Sequence, residues 1–202
     1  MTRENLENQP VPSSAGKLII LSGPSGVGKG SLVRELIRRG EFPLTLSVSA
    51  TTREKRAGER AGVDYDYLTR DEFLRRRDAG EFLESFEVYP GGALYGTPAD
   101  KVESAMNAGR WVILEIDVKG AMEVLKSHPD ALTIFILPPN NEALRERLTK
   151  RGSESAESLA KRLAQAEAEI TQSDRYRYRV VNDRFEDAVD EISRIFRSER
   201  DR

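Results

Sequence analysis

The chain has 202 residues, with 32 Lys and Arg against 34 Asp and Glu, and it contains no cysteine. That length allows one sizeable α/β domain with a smaller insertion, and the near balance of charge argues against general nucleic-acid binding, which needs a basic excess. The lack of cysteine excludes disulfide frameworks and thiolate catalysis, and no apolar run approaches the ~20 residues of a membrane span. We therefore expect a soluble cytoplasmic protein without a nucleic-acid or membrane partner.

The first elements predicted along the chain are a tail, a strand and a helix. Residues 1–16 are polar and lack the apolar core of a signal peptide, which predicts a flexible tail. The apolar run Leu18–Leu21 predicts a buried strand, and residues 31–39 predict a helix that Gly40 ends. The alternating residues 44–49 predict a second strand.

A glycine-rich segment joins the first strand to the first helix. It reads Gly23-Pro24-Ser25-Gly26-Val27-Gly28-Lys29-Gly30-Ser31. In this context the glycines allow successive N–H groups to face one anion, the helix start adds its positive dipole end, and Lys29 adds a mobile charge. The alternative is a glycine-rich turn without a ligand. Because Gly30 stands where the motif has a hydroxyl, a direct Mg²⁺ ligand at this point stays open.

The middle of the chain interrupts the alternation of strands and helices. Residues 50–66 form a long polar stretch, and a loop of this length is typically functional or disordered. Thr69 predicts the cap of a helix that runs through Ala79, and short strands are predicted at 82–89 and 94–95. Thr97 and Pro98 predict the cap and first position of the next helix. We expect an inserted lobe at about 47–96.

The second half returns to regular alternation. Strands are predicted at 111–117, 132–137 and 180–181, and helices at 118–126, 141–151, 157–170 and 185–196. Asn141 is the expected cap of the second of these helices. Such alternation predicts a parallel sheet with helices on both faces, and residues 150–162 are expected to form a second insertion.

The phosphate chemistry suggested by the glycine-rich segment needs positive charge around the moving group. Arg53 and Arg56 lie in the polar stretch, and Arg147, Arg151 and Arg162 frame a second loop. For any single arginine the alternative is a solvated surface charge. Asp117 follows a hydrophobic strand, where it could order the water around a phosphate-bound Mg²⁺ or simply cap the next helix.

Taken together, these segments resemble the guanylate kinase family over about residues 16–197. The resemblance rests on the glycine-rich segment and on short motifs that follow in family order: 47–53, Gly58-Glu59, Asp64-Tyr65, 82–84, 95–97, 114–117, 147–152 and 181–183. It implies a parallel-sheet P-loop kinase core with an inserted GMP-binding lobe, a lid, and phosphoryl transfer from ATP to GMP. The implied bounds are a tail at 1–16 and a domain at 17–200, with the core at 17–46 and 97–200, the lobe at about 47–96 and the lid at about 150–162.

The resemblance also implies roles for individual residues. The implied catalytic residues are Lys29, Arg53, Arg151 and Arg162. The implied ATP-binding residues are Gly23, Pro24, Ser25, Gly26, Val27, Gly28, Lys29, Gly30, Ser31, Arg147 and Asn182. The implied GMP-binding residues are Ser49, Arg53, Arg56, Tyr65, Glu84, Tyr95, Thr97 and Asp117. Glu84 suits guanine because a carboxylate can accept hydrogen bonds from its N1–H and N2 amine, whereas adenine presents an acceptor at N1.

The implied cofactor is Mg²⁺, held mainly through phosphates and water, with Ser31 or Asp117 as candidate direct ligands. The implied partners are ATP and GMP, with dGMP and the oligomeric state left open. Two alternatives compete with this reading: a non-catalytic guanylate-kinase-like module that binds proteins, and a kinase for another monophosphate. Two departures from the family pattern are Ala50 in place of a serine and a longer loop at Pro90 to Leu94.

Overall fold

The computed structural model describes residues 16–87, 91–149 and 156–201. The strands, in chain order, are β1 (Lys17–Ser22), β2 (Leu44–Leu46), β3 (Ala50–Thr51), β4 (Asp66–Tyr67), β5 (Phe82–Glu87), β6 (Leu94–Pro98), β7 (Trp111–Glu115), β8 (Leu132–Leu137) and β9 (Tyr178–Val181). The helices are α1 (Lys29–Arg39), α2 (Arg70–Asp78), α3 (Ala99–Asn107), α4 (Val118–Ser127), α5 (Asn141–Thr149), α6 (Ala156–Ile170) and α7 (Phe185–Arg200).

The strands form two sheets. The larger has the order β2-β7-β1-β8-β9, and β8 pairs in parallel with both β1 and β9. The smaller has the order β4-β3-β6-β5, in which β6 runs antiparallel to both of its neighbours. The predicted α/β class with a parallel central sheet is confirmed. The predicted tail lies outside the described residues, as do residues 150–155 of the predicted lid.

The chain divides into two compact units. The first contains Thr45–Leu114 and Lys119–Ala131 with the described residues up to Leu18, and the second contains Ile19–Leu44, Glu115–Val118 and Leu132–Arg202. The first unit therefore includes the whole smaller sheet. The second includes the glycine-rich segment with α1, together with α5, α6 and α7.

Each unit has its own apolar core. In the first, Phe73 of α2 is fully buried and stacks on Phe82 with ring centroids 4.5 Å apart. In the second, Leu144 and Leu148 of α5 pack with Ala166 of α6. Burying such a side chain contributes about 1.5–3 kcal/mol to folding, so these contacts hold the helices that carry polar residues at their opposite faces.

Three local predictions from the sequence are wrong. The second strand ends at Leu46 instead of Ser49, because residues 47–49 alternate like a strand but form the connection from β2 in the larger sheet to β3 in the smaller. Thr97 and Pro98 belong to β6, and α3 starts after them, since Thr97 pairs with β5. Asn140, not Asn141, caps α5: its Oδ1 accepts from the Ala143 N–H at 2.8 Å.

The other caps follow the sequence. The Thr69 hydroxyl accepts from the Glu72 N–H at 3.2 Å, and Gly40 ends α1 in the left-handed conformation. Within the described ranges, no helix combines the length and the apolar character needed to cross a bilayer.

Candidate active site

The glycine-rich segment forms a loop between β1 and α1 in the second unit. Gly28 is the N-cap of α1 at φ 102°, and its carbonyl accepts from the N–H groups of Ser31 and Leu32, both at 3.1 Å. The start of α1 has no side-chain cap. The positive end of the helix dipole therefore lies at the loop, where it favours an anion.

A cavity of about 300 Å³ opens at this loop, wholly within the second unit. Its lining consists of loop residues, the segment after β7 and one residue of α6: Gly23, Ser25, Gly26, Gly28, Lys29, Gly30, Glu115, Ile116, Asp117 and Glu169. The volume lies at the lower end of the range for small-molecule sites. The lining carries one ammonium group and three carboxylates, so its side chains are negative in sum. A polyphosphate would therefore bind here together with a metal cation.

Lys29 is the cation of this cavity. Its Nζ donates to the carbonyl oxygens of Gly23 at 2.6 Å and Pro24 at 3.2 Å, so the side chain lies back along the loop. Lysine is a point charge with rotatable donors and can exchange these carbonyls for phosphate oxygens without a change in loop conformation.

Glu169 was not predicted to belong to this cavity. Burial raises the pKa of its carboxyl, Asp117 adds to that increase, and the Gln165 amide and Lys29 oppose it. The Gln165 Nε2 donates to Glu169 Oε1 at 2.9 Å. Because α6 is rich in charged residues along its length, nothing in its sequence marks this carboxylate as different from its neighbours.

The loop is held from outside by residues that the sequence assigns to ATP binding. The Asn182 Nδ2 donates to the Val27 carbonyl at 2.8 Å, and Arg147 donates to the carbonyls of Asn182 at 3.0 Å and of Val27 at 3.4 Å. Arg162 of α6 donates from Nη2 to the Ser25 hydroxyl at 2.9 Å. The predicted catalytic Arg151 lies outside the described residues.

The loop leaves no room for a side chain at Gly23, which predicts a stability cost. A Cβ at this position would lie 2.4 Å from the Ile136 carbonyl oxygen, and the φ of 145° is one that L residues rarely adopt. We expect Gly23→Ala to lower the free energy of unfolding by about 2 kcal/mol in urea denaturation. Gly80→Ala is the control, because its φ is 73° but nothing lies within 4 Å of the added Cβ. Equal costs for the two variants would contradict the close approach at Gly23.

A second polar cluster lies in the first unit around Arg53. The Arg53 Nε donates to the Tyr95 hydroxyl at 3.3 Å, and its guanidinium carbon lies 5.2 Å from the Tyr65 ring centroid. The rings of Tyr65 and Tyr95 meet edge to face with centroids 5.9 Å apart. Three of the predicted GMP-binding residues therefore meet in one place. A guanidinium among phenols is suited to a phosphate dianion.

Glu59 and Tyr67 belong to the same cluster, and neither was assigned a role from the sequence. Both oxygens of Glu59 accept hydrogen bonds from Arg53, at 2.8 and 3.0 Å, and Tyr67 donates to Glu59 at 2.7 Å. These bonds, that to Arg53 first, lower the pKa of Glu59 to about 2. Burial and the neighbouring Glu59 carboxylate raise the pKa of Tyr67 to about 12.

The predicted base readers Glu84 and Thr97 are buried partners on facing strands. Glu84 is 4% exposed and Thr97 is 1% exposed. They pair across β5 and β6, and the Thr97 hydroxyl donates to Glu84 Oε1 at 2.7 Å. A buried carboxylate needs hydrogen-bond donors, and guanine offers two on one edge.

The remaining predicted residues are distributed between the two units. Ser49 precedes β3, and its carbonyl accepts from the Asp66 N–H at 2.9 Å. Arg56 is exposed. Asp117 lines the cavity beside Lys29 in the second unit, so the structure groups it with the glycine-rich loop and not with the other predicted GMP-binding residues of the first unit. The Ser31 hydroxyl accepts from Arg34 Nη2 at 3.1 Å.

Oxygen donors in the cavity suit a Mg²⁺ ion that keeps much of its water. Glu115 and Asp117 contribute carboxylates to the lining. Among the described residues, no three His, Asp or Glu side chains are grouped closely enough to hold a metal unaided. Such a donor set fits Mg²⁺ bound chiefly through phosphates and water, which is usual for this ion.

Comparisons with known proteins agree on one family. The family model described as guanylate kinase matches residues 15–199. The guanylate kinase of Rhodopirellula baltica is 48% identical over 200 residues, 96% of each chain, and that of Clostridium perfringens is 47% identical over 188 residues, 93% of this chain and 86% of the relative. The crystal structure of guanylate kinase from Anaplasma phagocytophilum is 35% identical with a TM-score of 0.74, covering 92% of this chain and 87% of its own.

Proposed function

The chain belongs to the guanylate kinase family, and on that premise we propose that the loop cavity binds ATP while the Arg53 cluster and the Glu84–Thr97 pair bind GMP. The protein is an enzyme, an ATP:GMP phosphotransferase that produces ADP and GDP. An oxygen of the GMP phosphate forms a bond to the γ-phosphorus of ATP, and the bond from that phosphorus to the bridging oxygen of ADP breaks.

The observation that carries the proposal is the cavity at the start of α1. It combines the amides at the N-terminus of α1 with Lys29, which is held by the carbonyls of Gly23 and Pro24. Phosphoryl transfer depends on positioning and on positive charge around the moving group more than on covalent chemistry. The loop amides and Lys29 supply that environment for the β- and γ-phosphates.

Positive charge near the γ-phosphate would also come from α6, which begins within the predicted lid and carries Arg162. Arg162 donates to Ser25 within the loop, and in this role it would exchange the hydroxyl for a phosphate oxygen. Arg151 remains a proposed catalytic residue on the basis of the family resemblance alone. Arginine suits the task because its planar donor fork matches phosphate oxygens.

The metal expected with ATP is Mg²⁺, and Asp117 and Glu115 of the cavity lining would hold its water shell. When bound, the ion would neutralise charge on the β- and γ-phosphates. Ser31 is a poorer candidate for a direct ligand, because its hydroxyl already accepts from Arg34.

The phosphate and the base of GMP would bind at different places in the first unit. Arg53, Arg56, Tyr65 and Tyr95 would bind the phosphate, with Ser49 nearby in sequence. Glu84 and Thr97 would read the base, since guanine donates from N1 and N2 while adenine would leave the buried carboxylate facing an acceptor. Nothing in the structure or in the comparisons favours the non-catalytic module.

A coupled assay for ADP tests the substrate assignment. With ATP held constant, we expect turnover with GMP and at most background turnover with AMP, CMP or UMP, and dGMP is included to measure the contribution of the ribose. The assay without any monophosphate measures ATP hydrolysis and is the control. Turnover with AMP equal to that with GMP would contradict base reading by Glu84, and folded protein inactive with every nucleotide would favour the protein-binding module.

A further inference from the structure

We propose that Glu59 is a positioning residue for the transfer reaction: it fixes the guanidinium of Arg53 and the backbone at Arg56 in the arrangement that receives the GMP phosphate. This inference rests on the proposed GMP site. It is carried by four hydrogen bonds that converge on one carboxylate in the first unit.

Two of the four bonds hold the Arg53 side chain. Glu59 Oε1 accepts from Arg53 Nη2 at 2.8 Å, and Oε2 accepts from Arg53 Nη1 at 3.0 Å. Both side chains are mostly buried, with 16% of Arg53 and 21% of Glu59 exposed. A bidentate pair through both terminal nitrogens fixes the plane of the guanidinium as well as its position.

The other two bonds hold the surrounding backbone and strand. Glu59 Oε2 also accepts from the Arg56 N–H at 2.8 Å and from the Tyr67 hydroxyl at 2.7 Å. Arg53 and Arg56 are thus tied through Glu59 to β4, which contains Tyr67. The exposed side chain of Arg56 consequently extends from a fixed point, although the segment around it has no regular secondary structure.

The rest of the Arg53 environment leaves room for one phosphate contact. Its Nε donates to Tyr95 and its Nη1 also donates to the Glu54 carbonyl at 2.7 Å. Arginine has five N–H donors. Among the described residues, acceptors are present for four of them, which leaves one N–H on Nη2 for a phosphate oxygen. The orientation of that donor is set by Glu59.

In the opposite role, Glu59 would compete with the GMP phosphate for Arg53, and the phosphate would have to displace the carboxylate in order to bind. Displacement would break the two bonds to Arg53, and any further movement would also leave the Arg56 N–H and the Tyr67 hydroxyl without their acceptor. Leaving such groups unsatisfied is costly. The two roles predict opposite changes in KM for GMP when the carboxylate is removed, so kinetics can separate them.

We expect Glu59→Ala to lower kcat/KM for GMP by about 10-fold, because Arg53 is misplaced, with no change in KM for ATP. Tyr67→Phe removes one donor to Glu59 without touching Arg53 and should cause a smaller loss in the same direction. Adding Glu59→Ala to Arg53→Ala should cause a much smaller further loss, because only the backbone at Arg56 is then left to position. A residue that supported only the fold would lower activity by the same factor in both backgrounds.

Glu87→Ala is the matched control. Glu87 also pairs with an arginine in the first unit, accepting from Arg70 at 2.6 Å, and also accepts a backbone N–H, that of Gly91 at 2.9 Å. The Glu87→Ala variant should therefore keep kcat/KM for GMP unchanged. Thermal unfolding of every variant identifies losses caused by poor folding, and Tyr67→Phe provides the test if Glu59→Ala does not fold.

The outcomes distinguish the inference from the function on which it rests. If the unmodified enzyme does not phosphorylate GMP, the proposed function fails. If it does, the inference is overturned by unchanged kinetics in Glu59→Ala or Tyr67→Phe, by a lower KM for GMP, or by a loss from Glu59→Ala that is as large in the Arg53→Ala background as in the unmodified enzyme.

Discussion

Replacing Lys29 by Met is expected to lower kcat by about 10²–10³-fold, the usual effect of losing one preorganised group that stabilises transition-state charge. Lys29 is the cation in the lining of the loop cavity, and its Nζ already lies on the Gly23 and Pro24 carbonyls that precede the phosphate-binding amides. Met keeps an unbranched side chain, one atom shorter than that of Lys, and removes its charge.

The measurement is steady-state turnover with saturating ATP and GMP, with circular dichroism to confirm the fold. Lys126→Met is the control, because Lys126 is 70% exposed and pairs only locally with Glu123 among the described residues. A large rise in KM for ATP with kcat preserved would show that Lys29 binds ATP equally well in the ground state and in the transition state. Near-normal turnover in a folded variant would contradict its role altogether.

Glu84→Gln is expected to lower kcat/KM for GMP by about 10- to 200-fold. Gln can keep an acceptor for the Thr97 hydroxyl, which is 2.7 Å from Glu84 Oε1, but it places an amine against the donors of guanine. Each hydrogen bond lost to a charged group costs about 1.5–3 kcal/mol, and 1.4 kcal/mol corresponds to a factor of ten.

KM for ATP should hardly change, because Glu84 and the loop cavity belong to different units. Glu87→Gln, on the same strand, is the control and should retain the kinetics of the unmodified enzyme. If Glu84→Gln weakened ATP and left GMP unaffected, the assignment of the two nucleotide sites would be reversed.

The elements of the fold that have a clear local signal in the sequence could be predicted. β8 and α1 match their predicted bounds closely, since an unbroken apolar run and a glycine stop are local signals. The glycine-rich loop between β1 and α1 could be predicted because the residues that form it are contiguous in the chain. The confusion between β2 and β3 arose because a strand of two residues is too short to show a period.

The predictions for the candidate site were limited by contacts between distant residues. Glu59 and Tyr67 are eight residues apart, and their relation to Arg53 depends on how a polar stretch closes on itself. Glu169 reaches the cavity from a helix whose charged residues look alike in the sequence. In both cases the residue type is common in the chain, and only its surroundings in the folded protein distinguish it from similar residues.

The pairing of β5 with β6 runs from their connecting loop to Glu84 and Thr97. The loop that joins these strands is longer than the family pattern suggests. Yet Glu87 pairs with Leu94 next to the loop, and the ladder continues through Phe86 and Ser85 to the pair of Glu84 with Thr97. The ladder thus links the Glu87–Leu94 rung to the Glu84–Thr97 pair without a break. We expect insertions between these strands to leave that pair in register, which makes the turn a place to graft a tag or a new binding segment.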